Sequence, residues 1–223
     1  MKMLVCTFAL VLVLAVMPRS AIAEPYMRLG RALDIPTMPN YCPLGKTPRQ
    51  RDLVEARAKM ASAAMEILVI SAPCSELPAF DAGTSQAFRK MLVVAVVKAH
   101  GVLRTDPRSR AEFIRMMNDG KPYDAKALSQ RVLELAKGVG GQVGFDLSRM
   151  TTLGEDRFAV YSAAVGEVRK DGRTAKVALV QASLLVSQLP LAVQATELLD
   201  GESTGTSPAV LVQQYVEAIA LRN

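Results

Sequence analysis

The chain has 223 residues, half of them apolar and 22% charged, which is typical of a folded globular protein rather than a disordered one. The 27 Lys and Arg outnumber the 21 Asp and Glu, giving a net charge of +6, and only 5% of the residues are aromatic. This modest charge and the few aromatic residues argue against nucleic-acid binding. One His and three Cys exclude a His/Cys zinc site, and we expect neither metal nor cofactor.

Residues 1–23 have the features of a secretory signal peptide. Lys2 gives a positive start, residues 4–17 are apolar, and Ala21-Ile22-Ala23 is a typical cleavage site. The apolar run would span about 21 Å as a helix, which is shorter than the ~30 Å hydrocarbon core of a membrane. We therefore expect cleavage between Ala23 and Glu24, no transmembrane segment afterwards, and a periplasmic or secreted product.

Cys42 and Cys74 are the two cysteines that follow the predicted signal. Two cysteines in an oxidising compartment usually pair, so we predict a disulfide between them. The bridge requires that the arms fold back along the helix predicted between the cysteines, or that this helix is shorter than predicted. Free or intermolecular thiols are the alternative. A redox pair is less favoured because the chain has no C-x-x-C spacing.

The predicted fold class is α+β, with an N-terminal helical half of about four helices, then an antiparallel β-hairpin or small sheet, and a C-terminal helix. Residues 24–46 contain four prolines and no apolar period, which predicts an extended arm. Residues 47–223 are predicted to form one domain. Its helical part is 47–138, its strand part is 143–199, and its last helix is 207–222.

Four helices are predicted within residues 47–138. The first runs from Pro48 to Ile70, with Thr47 as its N-cap and apolar residues spaced by three and four. The second ends at His100, although its apolar, β-branched segment at 91–97 also permits a buried strand. The third begins at Asp106-Pro107 and ends at Asn118. The fourth follows Pro122 and ends at Gly138.

The strand part contains a hairpin signal at Asp171-Gly172. The flanking segments, 157–169 and 174–186, are rich in Val, Ala and Leu, and this tip would place Glu167 opposite Lys176. The same register places Tyr161 opposite Ala182. Residues 191–198 are predicted as a third strand or a short helix, and Ser207 as the N-cap of the last helix.

One basic cluster is a candidate contact face for a partner, formed by Arg104, Arg108, Arg110 and Arg115. Asp106 and Glu112 are interleaved with these arginines, so an ordinary salt-bridged helix surface is the simpler interpretation. The glycine-rich segment at 138–144 lacks the G-x-G-x-x-G spacing and follows a helix, which indicates a flexible joint rather than a phosphate loop.

Few residues are candidates for catalysis. Asp146, Glu155 and Asp156 are the carboxylates that a hydrolase cleft would use, although solvated loop charge is the simpler interpretation. His100 precedes Gly101 at the end of a predicted helix, where its expected role is to cap the C-terminus and interact with the helix dipole. No G-x-S-x-G motif accompanies it.

We therefore expect an exported, soluble, non-enzymatic envelope protein that binds an envelope or secreted protein partner through the arm or the last helix. Packing of that helix on its own core is the simpler interpretation. A carrier of a small apolar ligand is one alternative, since methionines can line an adaptable pocket. Five methionines lie at core-like helical positions, where filling the core is the simpler interpretation: Met60, Met65, Met91, Met116 and Met117. A carboxylate-dependent envelope hydrolase is the other alternative. The oligomeric state is not indicated.

Overall fold

A computed structural model of the protein describes residues 25–118, 150–170, 173–199 and 206–223. The strands are β1 (Tyr26–Arg28), β2 (Arg31–Leu33), β3 (Tyr41–Pro43), β4 (Met65–Pro73), β5 (Lys90–Ala99), β6 (Val102–Leu103), β7 (Thr151–Glu155), β8 (Ala159–Lys170), β9 (Arg173–Val186) and β10 (Leu189–Leu198). The α-helices in these ranges are α1 (Pro48–Ala61), α2 (Leu77–Asp81), α3 (Arg110–Met117) and α4 (Pro208–Arg222).

One antiparallel sheet of eight strands dominates the described residues. Its strand order is β3-β4-β5-β10-β9-β8-β7, and β6 pairs with β5 beside this path. Strands β1 and β2 form a separate hairpin. The central strands β5, β10 and β9 carry long apolar sequences because both faces of the sheet are covered there.

The predicted N-terminal helical half is wrong, because β4, β5 and β6 lie within the part predicted as helical. Helix α1 ends at Ala61, and the chain from Met65 to Pro73 is a strand. The segment that was predicted as a second helix ending at His100 contains β5 instead. Its β-branched residues fit a pleated sheet. Strands β4 and β10 pair with β5 on either side along most of its length.

Helices α3 and α4 confirm two of the predicted helices. Helix α3 begins at Arg110, later than predicted, because Ser109 and Glu112 form a capping box. Ser207 accepts a hydrogen bond from the backbone N–H of Val210, as expected of the N-cap of α4. The fourth predicted helix, the glycine-rich segment at 138–144 and the predicted signal peptide lie outside the described residues.

The β8–β9 hairpin has the predicted register. Glu167 is opposite Lys176, and Tyr161 is opposite Ala182. The predicted tip, Asp171-Gly172, lies outside the described residues. Residues 191–198 belong to a strand, β10. A two-residue turn, Ser187 and Gln188, joins β9 to β10. Both residues have positive φ (49° and 64°), as is typical of two-residue hairpin turns.

The main core lies between one face of the sheet and helix α4, which packs on β9 and β10. Within the predicted arm, Leu33, Ile35 and Met38 are buried in this core. Val212 and Ile219 of α4 are also fully buried there. A smaller cluster on the other face includes Phe80 of α2. Both the arm and the last helix are therefore structural parts of the fold.

No helix within the described ranges is both long enough and apolar enough to cross a membrane.

Candidate functional site

A cavity of about 320 Å³ opens at the end of the main core where β5 begins and β10 ends. Its apolar wall is formed mainly by Met38 of the arm and Leu211 of α4. Its polar wall includes Tyr41, Lys90 and Gln214. The remaining lining residues are Pro39, Asn40 and Thr206. The lining therefore combines apolar side chains with hydrogen-bonding groups.

Lys90 and Glu197 form an ion pair at this cavity. They are opposite each other on β5 and β10, and Lys90 Nζ lies 3.0 Å from Glu197 Oε1. The side chains are 12% and 4% exposed, so water screens this pair far less than a surface pair. Lys90 Nζ also donates to the carbonyl of Thr206 at 2.9 Å, which links the sheet to the segment before α4. The two charges cancel, so the polar wall carries little net charge.

Tyr41 supplies a phenol that stays neutral at physiological pH. Burial, with smaller contributions from the negative charges of Glu197 and Glu76, raises the pKa of Tyr41 to about 12. A neutral phenol can both donate and accept a hydrogen bond. Asn40 and Gln214, both exposed, add carboxamide groups of the same dual character.

The predicted disulfide is confirmed, and its Cys42 directly follows Tyr41 of the cavity lining. Cys42 and Cys74 are joined, with Cα atoms 5.0 Å apart. The Cys74 N–H donates to the carbonyl of Asn40 at 2.9 Å, so the bridge and this hydrogen bond hold residues 40–42 against the end of β4. The bridge can form because α1 is shorter than predicted and β4 returns the chain to Cys42. A disulfide fits an oxidising compartment.

We expect the ionisation of Tyr41 to be delayed in the folded protein, as an alkaline titration followed at 295 nm would measure. A tyrosine whose folded-state pKa is raised from 10.0 to about 12 favours the folded protein until the pH exceeds the unfolded value. Its stabilising effect is then lost as the pH rises from about 10 towards 12. The Tyr41→Phe variant should lack one late-titrating group, whereas an unchanged late phase would contradict the assignment.

The four arginines of the predicted contact face make different contacts. Arg108 makes side-chain hydrogen bonds to both carboxylate oxygens of Asp106, at 2.8 and 2.7 Å, and these bonds lower the pKa of Asp106. Arg110 packs over the ring of Phe158 and donates to the carbonyl of Leu185. The two remaining members are exposed: Arg104 and Arg115. A role of the four arginines in partner binding stays a prediction.

The candidate catalytic residues make mainly structural contacts in the described ranges. Asp156 accepts hydrogen bonds from the N–H groups of Phe158 and Ala159 and from the hydroxyl of Tyr161, which fixes the β7–β8 turn. Glu155 accepts one from Asn118. Asp146 lies outside the described residues. His100 was expected to cap a helix, but it lies in the β5–β6 turn with a φ of 53°.

The methionines proposed for a carrier pocket do not line this cavity. Met91 is buried, but Met60, Met116 and Met117 are exposed. The residues that do line the cavity were missed because they come from three regions distant in sequence: the arm, the start of β5, and α4 with the segment before it. Opposite charges near the ends of two apolar segments, Lys90 and Glu197, were the available signal.

The structure is that of an α+β protein with a small cavity, lined by residues of little net charge, at one end of an antiparallel sheet. Comparison with protein-family models and with curated proteins finds no match to this chain. The argument for function therefore rests on the cavity and its chemistry.

Proposed function

We propose that the protein is an exported, non-enzymatic binding protein that holds a small, uncharged, amphipathic molecule in the cavity between Tyr41, Lys90 and Leu211. The observation that carries this proposal is the cavity itself. Its volume of about 320 Å³ lies at the small end of the range for ligand pockets. The ligand would therefore be a small molecule rather than a long-chain lipid.

The chemistry of the lining supports an uncharged ligand. Because Glu197 balances the charge of Lys90 at 3.0 Å, a charged ligand would find no uncompensated partner in this pair. Tyr41, Asn40 and Gln214 can each donate and accept a hydrogen bond, so they suit hydroxyl, amide or carbonyl groups. Met38 and Leu211 would contact the apolar part of the same molecule.

The cavity changes which of the functional hypotheses drawn from the sequence has the most support. The arm and the last helix were the segments offered to a protein partner, and both contribute buried residues to the main core. The carrier hypothesis, revised from an apolar to an amphipathic ligand, is thus the better supported. Binding of an envelope or secreted protein stays a prediction, as does export to the periplasm or beyond, which the signal pattern and the disulfide support.

We expect saturable binding of an uncharged fluorescent probe, N-phenyl-1-naphthylamine, at one site per chain. The Gln214→Trp variant should weaken this binding at least tenfold, because Gln214 is exposed and a larger ring at that position would occupy the cavity. A titration of probe fluorescence measures both affinities. Leu221→Trp is the matched control, since Leu221 is an exposed residue of the same helix and does not line the cavity.

Two outcomes would count against the proposal. Either the probe shows no saturable binding, or both tryptophan variants weaken it equally. Organic extraction of the protein purified from cell envelope provides the second measurement, because a bound metabolite should be recovered from the wild type and depleted in Gln214→Trp. A protein that copurifies in stoichiometric amount with both variants would instead favour the partner hypothesis.

A further inference from the structure

Three turns meet at the end of the sheet opposite the cavity. They are the β1–β2 turn, the connection from α1 to β4, and the β5–β6 turn, and we refer to residues 27–31, 59–66 and 98–104 together as the turn surface. Arg28 pairs with Glu66, which joins the first turn to the second. Lys98 donates from its backbone to Ala64 and from its side chain to Ser62, both at 2.8 Å, which joins the second to the third.

The turn surface has large apolar side chains in solvent. The described ranges contain seven exposed large apolar residues, and four of them lie on this surface: Met27, Leu29, Met60 and Val102. Met60 is 73% exposed, the highest value of the seven. Isolated exposed apolar residues are common on protein surfaces, but four in segments linked by an ion pair and hydrogen bonds are the kind of grouping found at interaction sites.

Leu29 is held in an unfavourable backbone conformation at the tip of the first turn. Its φ is 48°, and the following residue, Gly30, has a φ of 72°. Asn or Gly is favoured at such a position, whereas a bulky apolar residue there is uncommon. Local stability alone therefore does not explain Leu29, which presents its side chain to solvent with 51% exposure.

The same surface is strongly basic. Its five basic residues, Arg28, Arg31, Lys59, Lys98 and Arg104, are accompanied by one acidic residue, Glu66. Glu66 is neutralised by Arg28, so about four positive charges remain uncompensated among the apolar side chains of these three segments. A surface of this charge attracts anions over roughly the Debye length, about 8–10 Å at physiological salt.

We propose that the turn surface docks on an anionic phospholipid surface, with Met27, Leu29, Met60 and Val102 entering the headgroup region. Apolar side chains on projecting turns and a surrounding set of Lys and Arg combine the two contributions that bind peripheral proteins to membranes. The excess of positive charge on this surface is complementary to an anionic membrane, and a protein partner is the other outcome that the test distinguishes. This proposal rests on the turn surface alone and does not depend on the cavity.

The test is cosedimentation of the processed protein, its N-terminus verified by sequencing, with vesicles of mixed phosphatidylglycerol and phosphatidylcholine. We expect binding that weakens as salt is added and is lost on vesicles of pure phosphatidylcholine. The variant Lys59→Glu/Arg104→Glu should bind at least tenfold more weakly, since each basic residue near an anionic surface contributes about a fivefold change in affinity. The matched control is Lys46→Glu/Arg115→Glu, which changes the same charge elsewhere.

Leu29→Asn separates docking from folding. Asn is better suited than Leu to the positive φ, so this variant should unfold at the same temperature or higher while binding vesicles several-fold more weakly. Met116→Ser/Leu221→Ser removes exposed apolar residues away from the turn surface and should bind like the wild type. Equal binding to both vesicle types, equal losses in the two charge variants, or binding of a protein partner with no vesicle binding would overturn the proposal.

Discussion

Replacing Glu197 with Ala is expected to lower the free energy of unfolding by about 3–5 kcal/mol, because it removes the carboxylate that lies 3.0 Å from the largely buried ammonium group of Lys90. The Lys90 and Glu197 side chains are almost fully buried, and they belong to directly opposed positions on β5 and β10. The hydrogen bond from Lys90 to the Thr206 carbonyl cannot replace a full negative charge. Chemical denaturation of the single variant measures the loss.

A double variant distinguishes loss of the ion pair from simple loss of packing. Lys90→Met/Glu197→Leu removes both charges while keeping much of the volume, so it should recover most of the stability lost in Glu197→Ala. Glu217→Ala is the matched surface control, since Glu217 is 3.7 Å from Arg157 in a pair with 74% and 51% exposed side chains, and it should cost less than about 1 kcal/mol. Equal costs at the two glutamates would show that burial does not strengthen the first pair.

Removal of the disulfide by Cys42→Ser/Cys74→Ser is expected to lower the free energy of unfolding by about 3–4 kcal/mol, the contribution that chain entropy gives to a loop of this size. The cysteines are 32 positions apart and tie β3 to the end of β4. Because Asn40 and Tyr41 immediately precede Cys42 and line the cavity, probe binding should also weaken. Denaturant unfolding and the fluorescence titration measure these two effects.

The control for the disulfide prediction is the wild-type protein under reducing conditions. Reduction should reproduce the stability of the double serine variant, and the variant itself should not respond to the reductant. Titration of thiols in the unfolded, unreduced processed protein should detect none. Two reactive thiols per chain, or identical stability with and without reductant, would contradict a structural bridge.

The sequence predicted correctly the elements that depend on neighbouring residues. Ser207 caps α4 by accepting a hydrogen bond from Val210, three residues further along the chain. A two-residue turn signal correctly predicted which residues of β8 and β9 are opposed. The β9–β10 turn was missed because Ser187 and Gln188 adopt positive φ without the Asn or Gly that usually indicates it. Local chemistry was therefore sufficient where a turn or cap has its usual residues.

The helical half was predicted wrongly because β5 is apolar on both faces, and a buried strand and a buried helix have the same appearance in a short apolar run. Only pairing with β4 and β10 decides between them, and these partners are remote in sequence. The cavity likewise depends on remote contacts, because its lining comes from the arm, the start of β5 and the region of α4. Lys90 could therefore be recognised as a polar residue at the end of an apolar strand, but the lining residues could not be assembled into a site.

The joining of the arm to helix α4 has a consequence for the timing of folding. Asp34 and Asn223 exchange hydrogen bonds across 189 positions of sequence, and the core between them needs Leu33, Ile35 and the buried face of α4 at once. A ribosome must therefore synthesise α4 before the core can close, since contacts so distant in sequence form late. Until α4 has been synthesised, the chain therefore lacks its complete core, and a polypeptide without a closed core is more easily threaded through a narrow translocation channel.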